Sequence, residues 1–369
     1  MMKRVYVDRA KMAAVLKLAA MATNPHSTIP EYRGVLLEAE GDRLQVRATD
    51  GYIWFRGNVA ALPDEPFSTL VSIGPLRRLV DAMAPGGFML ALEDERLVVE
   101  QGMKASIAAN DPVDYPGWSG SWDGAYAEFD RKAFTQGLSR VLVVTSDDET
   151  RPALMHTHIV KHTDGRVTLE GSDSYRALIV DGGHVGEEFT GRAYIDKRTA
   201  KLLLAMAKGT DAAPQMSWDE EGLRGWWRIG DCEVRDTQMS DKHPTLAALI
   251  PAESEHTFTV DRKAALAMCN AFMKAIGRGT VRLSFSADLL RVETTQQVLD
   301  LVGTSCCGEL PVAESSGGDG VFGVNLEFLR DGFATLAGDT VEVQYRAPLR
   351  PLGLVSGGDV HLIMPVRLD

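Results

Sequence analysis

Short runs in which apolar and polar residues alternate fill most of this 369-residue chain, and six stretches change to helical spacing. Period-two alternation marks strands with one buried face. Apolar residues at every third or fourth place mark helices with one buried side. The helical stretches are residues 8–24, 75–84, 130–143, 196–208, 261–279 and 325–337. Many one-faced strands, with helices carried on one side of them, predict an α+β fold of antiparallel sheets.

The pattern repeats three times. DRAK at 8–11 opens the first helix, and DRKA opens others at 130–133 and 261–264, each with an aspartate placed as N-cap. A strand pair follows: GDRLQVRATDGY (41–52) aligns with DGRVTLEGSDSY (164–175), and ADLLRVETTQQ (287–297) keeps their apolar places. A second helix then ends before glycine at Gly86, Gly209 and Gly338. Boundaries fall in the Pro, Gly and Asp-rich stretches 111–124 and 240–255, giving domains 1–125, 126–253 and 254–369.

Composition narrows the class. Apolar residues at 45% and charged residues at 24% exclude a disordered, collagen-like or disulfide-scaffold chain. No apolar stretch is long enough to cross a bilayer, so a cytoplasmic protein without a membrane partner is expected. Cys232, Cys269, Cys306 and Cys307 show no metal spacing and read as reduced thiols.

Charge is unevenly spread. The net charge is −12, yet the six helices hold 17 basic and 7 acidic residues, so they carry +10 and the rest −22. Cationic helices in an acidic protein suit contact with a phosphate backbone without reading sequence. Exposed Lys and Arg on a solvated helix face are the plain alternative, which the threefold repeat disfavours.

Other chemistry has fewer supports. His156, His158 and His162 lie in HTHIVKH, where HxH on a strand puts two imidazoles on one face, but nothing nearby completes a zinc set. Asp147, Asp148 and Glu149 form an acidic loop cluster expected to be solvated. SSGGDGVFG (315–323) lacks the ending of a phosphate loop and reads as a connector. Of the neighbours Trp226 and Trp227, one is expected in the core and one outside. No catalytic residues and no cofactor are expected; a metal-dependent enzyme built on His156 and His158 is the reading from another class.

Three tandem α+β units, paired basic helices and a chain ending VHLIMPVRLD, with MPVRL at 364–368, resemble the bacterial DNA polymerase III beta subunits, the sliding clamps. SDSYRA (172–177), TIPEYRGVLL (28–37), TDGY (49–52) and DYPGW (114–118) carry the resemblance further, over residues 5–368. It implies a DNA-clamp fold whose three clamp-type domains form half of a head-to-tail homodimeric ring around double-stranded DNA. It also implies a replicative DNA polymerase and a clamp-loader ATPase as partners. A clamp-fold regulator without ring closure is the alternative.

By the resemblance, a partner-peptide pocket maps to Leu154, Ser172, Ser174, Tyr175, Arg176, Ala177, Pro244, Ala248, Leu249, Asn325, Phe328, Val360, Met364, Pro365, Val366, Arg367 and Leu368. Its apolar walls would receive a short peptide, with Arg176 fixing orientation. DNA-facing positions are His26, Arg77, Arg78, Lys197 and Arg198, with Lys11, Lys17, Arg140, Lys201, Lys274 and Arg330 added from their helical places. Ring-seam positions are Val80 and Ile107 against Phe272 and Met273. Ser174, Tyr175 and Ala177 depart from the family's common Gly, His and Leu, Ala248 replaces an arginine, and Asp369 follows the usual last leucine; these changes point to dedicated partners.

Overall fold

The computed structural model describes residues 3–118, 126–189, 192–218, 224–237, 244–250, 254–347 and 350–368. The expected boundaries at 125/126 and 253/254, and Asp369, adjoin or fall on residues outside that set.

The first repeat runs β1 (Lys3–Asp8), α1 (Arg9–Ala19), β2 (Gly34–Glu40), β3 (Arg43–Thr49), β4 (Trp54–Ala60), β5 (Leu62–Pro63), β6 (Phe67–Ser72), α2 (Ile73–Ala82), β7 (Gly87–Glu93), β8 (Arg96–Glu100) and β9 (Lys104–Asn110). The second runs β10 (Ala127–Glu128), α3 (Arg131–Val141), β11 (His156–Lys161), β12 (Arg166–Ser172), β13 (Arg176–His184), β14 (Arg192–Asp196), α4 (Lys197–Ala207), β15 (Gln215–Trp218), β16 (Arg224–Ile229) and β17 (Cys232–Thr237). The third runs β18 (His256–Asp261), α5 (Arg262–Ile276), β19 (Thr280–Phe285), β20 (Leu289–Thr294), α6 (Gln296–Val302), β21 (Cys307–Pro311), β22 (Glu314–Ser316), β23 (Gly320–Asn325), α7 (Leu326–Thr335), β24 (Thr340–Tyr345), β25 (Leu352–Ser356) and β26 (Asp359–Ile363). The six expected helices are present, and α6 is an addition that the alternation of ADLLRVETTQQ did not signal.

Contacts group the chain into two compact units. One holds Met1–Arg131, His184–Thr190 and Arg198–Ser240; the other holds Lys132–Gly183, Gly191–Lys197 and Asp241–Asp369. The first unit has a 13-stranded antiparallel sheet in which β17 of the second repeat pairs with β4 of the first. The second unit has a nine-stranded sheet, in which β13 pairs with β26 of the third repeat, and a four-stranded sheet, β21-β20-β19-β23.

Two devices recur in each repeat. The aspartates before α1 and α5 cap their helices, Asp8 accepting from Lys11 N at 2.9 Å and Asp261 from Ala264 N at 2.7 Å. The arginine that follows reaches the second helix of its own repeat and donates to carbonyls at its C-terminal end. Arg9 bonds Val80 O and Asp81 O, Arg131 bonds Ala207 O and Thr210 O, and Arg262 bonds Phe333 O and Gly338 O. Carbonyls at a helix C-terminus lack the next turn's donors and carry partial negative charge, which a guanidinium offsets.

The second device is a size exchange between the first helix and the strand beneath it. A Cβ on Gly57 would lie 2.8 Å from Val15, and one on Gly308 would lie 2.8 Å from Met268. In the middle repeat the glycine is on the helix: a Cβ on Gly137 would lie 2.8 Å from Asp181 O and 3.4 Å from the Val180 side chain beside it. One partner of each pair must be small for the helix to approach its sheet. These contacts align β4, β13 and β21 as the same strand of three repeats.

Both tryptophans of β16 are buried, Trp226 at 8% exposure and Trp227 at none, which corrects the expectation of one outside. Trp227 packs 5.7 Å from Phe129 in the core. Trp226 shares its row with Arg235 and Trp54, and the Arg235 guanidinium lies over the Trp54 ring, so the outer face is covered too. The DYPGW stretch lies on the same unit, with Tyr115 under Arg47 and Trp118 under Arg56, which also pairs with Glu233. Burial pushes the Tyr115 hydroxyl pKa up.

Candidate partner-binding cleft

β13 and β26 pair antiparallel within the second unit, with Arg176 opposite Ile363 and Ile179 opposite Val360. That pairing delivers the segment after β26 to the turn before β13. Met364 N donates to Tyr175 O at 2.8 Å, and Val366 N to Gly323 O at 2.8 Å, so the tail is held at both ends. A Cβ on Gly323 would meet Val366 O at 2.5 Å, so only glycine lets the tail lie there.

The turn itself is built from its own side chains. Ser172 Oγ donates to Arg176 O at 2.8 Å, and Asp173 accepts the N–H groups of Tyr175 and Arg176 at 3.0 Å each. Ser174 takes a positive φ of 78°, and Arg151 donates to its hydroxyl at 2.6 Å. Asn325 caps α7 by accepting from Glu327 N at 2.9 Å, which sets Phe328 on the first turn.

Around this frame lies apolar surface. Tyr175 stacks on Phe328 with centroids 6.3 Å apart, and Leu246 packs with Ala177, Ile179 and Leu362 as a buried floor. Tyr175 (60%), Leu249 (51%), Met364 (43%) and Val366 (37%) are exposed despite their apolar bulk, and Val360 and Phe328 are half-buried. Exposed apolar residues gathered in one place mark an interaction site. Pro244, Ala248 and Arg367 are exposed, while Pro365, Leu368 and Leu154 are half-buried, Leu154 in the turn before β11.

Arg176 departs from its expected role. Its guanidinium bonds Asp173 at 2.8 Å, pairs with Asp331, donates to Val143 O at 3.1 Å and covers the Phe328 ring at 4.5 Å. With two carboxylates on it, the group is neutralised and stiffens the cleft wall instead of waiting for a peptide. Asp173, Asp331 and Leu246 were missed from sequence; only the Asp173 turn position carried a signal. Beneath the cleft, His361 Nδ1 meets Thr335 Oγ1 at 2.9 Å, and burial, then the Arg176 charge, lowers its pKa to about 3.

The expected DNA-facing residues divide. His26, Lys11, Lys17, Arg78, Lys201 and Lys274 are exposed and Arg77 is half-exposed. Arg140 instead pairs with Asp359 and donates to Thr335 O; Lys197 is buried on Asp147 and Thr145 O; Arg198 pairs with Asp50, and Arg330 with Asp331. Nearby carboxylates compensate these four, and of those only Asp331 was in the helix count. Of the seam positions, Ile107 and Met273 are half-exposed, whereas Val80 and Phe272 lie in their own cores and offer no surface.

His156 bonds Pro152 O, and His162 meets Thr168. His158 is buried, with Tyr194 stacked on it at 4.9 Å and Glu170 3.6 Å away. Among the described residues no three His, Cys, Asp or Glu side chains gather as a metal site. No described helix is long and apolar enough to cross a membrane.

No family model matches the chain. The beta sliding clamp of Synechocystis sp. is 21% identical over 388 aligned positions covering 98% of each chain, and that of Caulobacter vibrioides is 22% identical over 99% of this chain and all of its own. The solved DNA polymerase III beta subunit of Thermotoga maritima superposes with a TM-score of 0.88 at 18% identity, covering both chains fully. The Bacillus subtilis DNA polymerase sliding clamp does so with a TM-score of 0.89 at 15% identity, again over both chains. Along its whole length, then, this chain is similar in sequence to the beta sliding clamps and shares the fold of the solved ones.

Proposed function

We propose that two copies of this chain close head to tail into a ring that slides on duplex DNA and tethers a replicative polymerase through the cleft. In this reading each copy supplies three clamp domains, 1–125, 126–253 and 254–369, a separate loader ATPase opens the ring, and the protein acts as a cytoplasmic processivity factor with no chemistry of its own. Tethering raises the polymerase's effective concentration at the primer end.

The observation that carries the ring is a pairing rule used twice. The third strand after the first helix in one repeat, β4 or β13, pairs with the last strand of the next, β17 or β26. The register is the same both times, Phe55 opposite Val234 and Leu178 opposite His361. Two strands are left over: β21 ends its sheet, and residues 104–108 of β9 pair only with β8 among the described residues. A heterologous contact between β21 of one copy and β9 of another closes after two copies if it follows the same rule. Matching Gly308 to Gly57, and Ile107 to the inward-facing Val234, sets Ile107 opposite Cys306 and Ser106 opposite Cys307 of the second copy.

Ser106→Cys, treated with diamide, should therefore form a disulfide with Cys307 of the second copy, since opposed strand residues lie within disulfide reach. The locked two-chain ring, once loaded, should stay on closed circular DNA and leave when the circle is cut. A single-chain mass in solution, or equal retention on cut and closed circles, would favour the regulator without ring closure.

A further inference from the structure

The three repeats do not share the DNA-contacting work equally. We propose that the phosphate backbone of duplex DNA is held by the helices of the first two repeats, and that in the third repeat α7 is committed to the partner cleft while α5 offers phosphate little uncompensated charge. The proposal rests on the sliding-clamp reading and deepens it.

Local compensation decides it. Lys11, Lys17, Arg77 and Arg78 on α1 and α2 have no carboxylate partner among the described residues; Asp81, exposed on α2, offsets one of these charges. Lys132, Lys201 and Lys208, on or just beyond α3 and α4, are likewise exposed and unpaired. Arg140, Lys197 and Arg198 of the second repeat are paired, so it keeps those three lysines, whereas the third keeps one cation. Lys263 pairs with Asp339 at 3.2 Å, Arg278 with Glu327 at 3.2 Å and Arg330 with Asp331 at 2.6 Å, leaving Lys274. The exposed pairs are weak in stability terms, but a carboxylate beside each cation still cancels its field at a distant phosphate.

The helix surfaces agree. On α7 Ala334 alone is exposed, and Asn325, Phe328 and Asp331 at its start and along it build the cleft. On α5 the exposed positions besides Lys263 and Lys274 are Ala267, Asn270, Ala271 and Ala275, which are small or uncharged. One helix cannot both bury its polar side chains in a partner site and hold them out to phosphate.

Matched triple variants test this on the full chain: K11Q/K17Q/R78Q, K132Q/K201Q/K208Q and K263Q/K274Q/R278Q. Each is titrated against linear duplex DNA over a range of salt. Each phosphate contact contributes about 0.9 to the slope of log affinity on log salt, so three per chain in a two-chain ring amount to about 5. The first two triples should flatten the slope by about that much, and the third by about 2 at most. An equal loss in the third triple overturns the inference. Trapping of the wild-type ring on closed circles is scored separately, so the clamp reading and this division of labour fail on different measurements.

Discussion

His361 is wholly buried with its Nδ1 against the Thr335 hydroxyl, and its pKa falls from 6.5 to about 3. The folded protein therefore keeps it neutral where the unfolded chain takes up a proton. A depressed basic pKa leaves stability intact above the unfolded value and erodes it as pH drops from about 6.5 towards 3, by about 1.4 kcal/mol per pH unit. His361→Leu should lose less stability than the wild type between pH 7 and 5, by about 2 kcal/mol in denaturant titrations. Parallel losses in the two proteins would contradict it. Nothing in VHLIMPVRLD marked this histidine, because its burial comes from β26 lying against α7. Tyr175 and Met364 were legible, as motif positions whose neighbours in sequence are also neighbours in space.

At the scale of elements, the repeated Asp-Arg pair was read as a helix start, and only half its work was visible. The aspartate acts three residues away, within reach of sequence logic. The arginine acts 71 to 79 residues away, on the end of another helix. Arg262→Ala removes charge-assisted bonds to Phe333 O and Gly338 O and should cost about 2 kcal/mol. Arg262→Lys should restore part of that, since an ammonium keeps the charge but not the fork. Urea unfolding of the two variants measures it; an Ala variant as stable as wild type would show the bonds to be idle. Between Val15–Gly57 and Gly137–Val180 the glycine changes from strand to helix, an exchange that alignment of either segment by itself does not show.

For the whole molecule, the proposed cleft and the proposed ring seam lie on different elements, so they should separate by mutation. Deleting residues 364–369 removes Met364 and the strand-like bond of Val366 to Gly323 but touches neither β9 nor β21. The truncated chain should keep a two-chain mass by light scattering and lose polymerase and loader binding by at least tenfold, about 1.4 kcal/mol. Partner affinity unchanged in a truncated dimer would remove the cleft from the mechanism. The overall acidity and the cationic helices fit this division: attraction is needed on a few helix faces, and elsewhere negative charge discourages stray nucleic acid.

The sequence by itself determined the α+β class, the threefold order of elements, the six long helices and the family resemblance. Periodicity and caps are local, acting over three to eight residues, and repetition amplifies them. Tertiary structure alone decided which charges remain free. Arg140, Lys197, Arg198 and Arg330 look like their unpaired neighbours in the chain, and only the carboxylates of Asp359, Asp147, Asp50 and Asp331, three of them far off in sequence, tell them apart. It also decided that Arg176 braces the cleft, because a guanidinium between two acids is a matter of distance in space, which spacing along a chain does not encode.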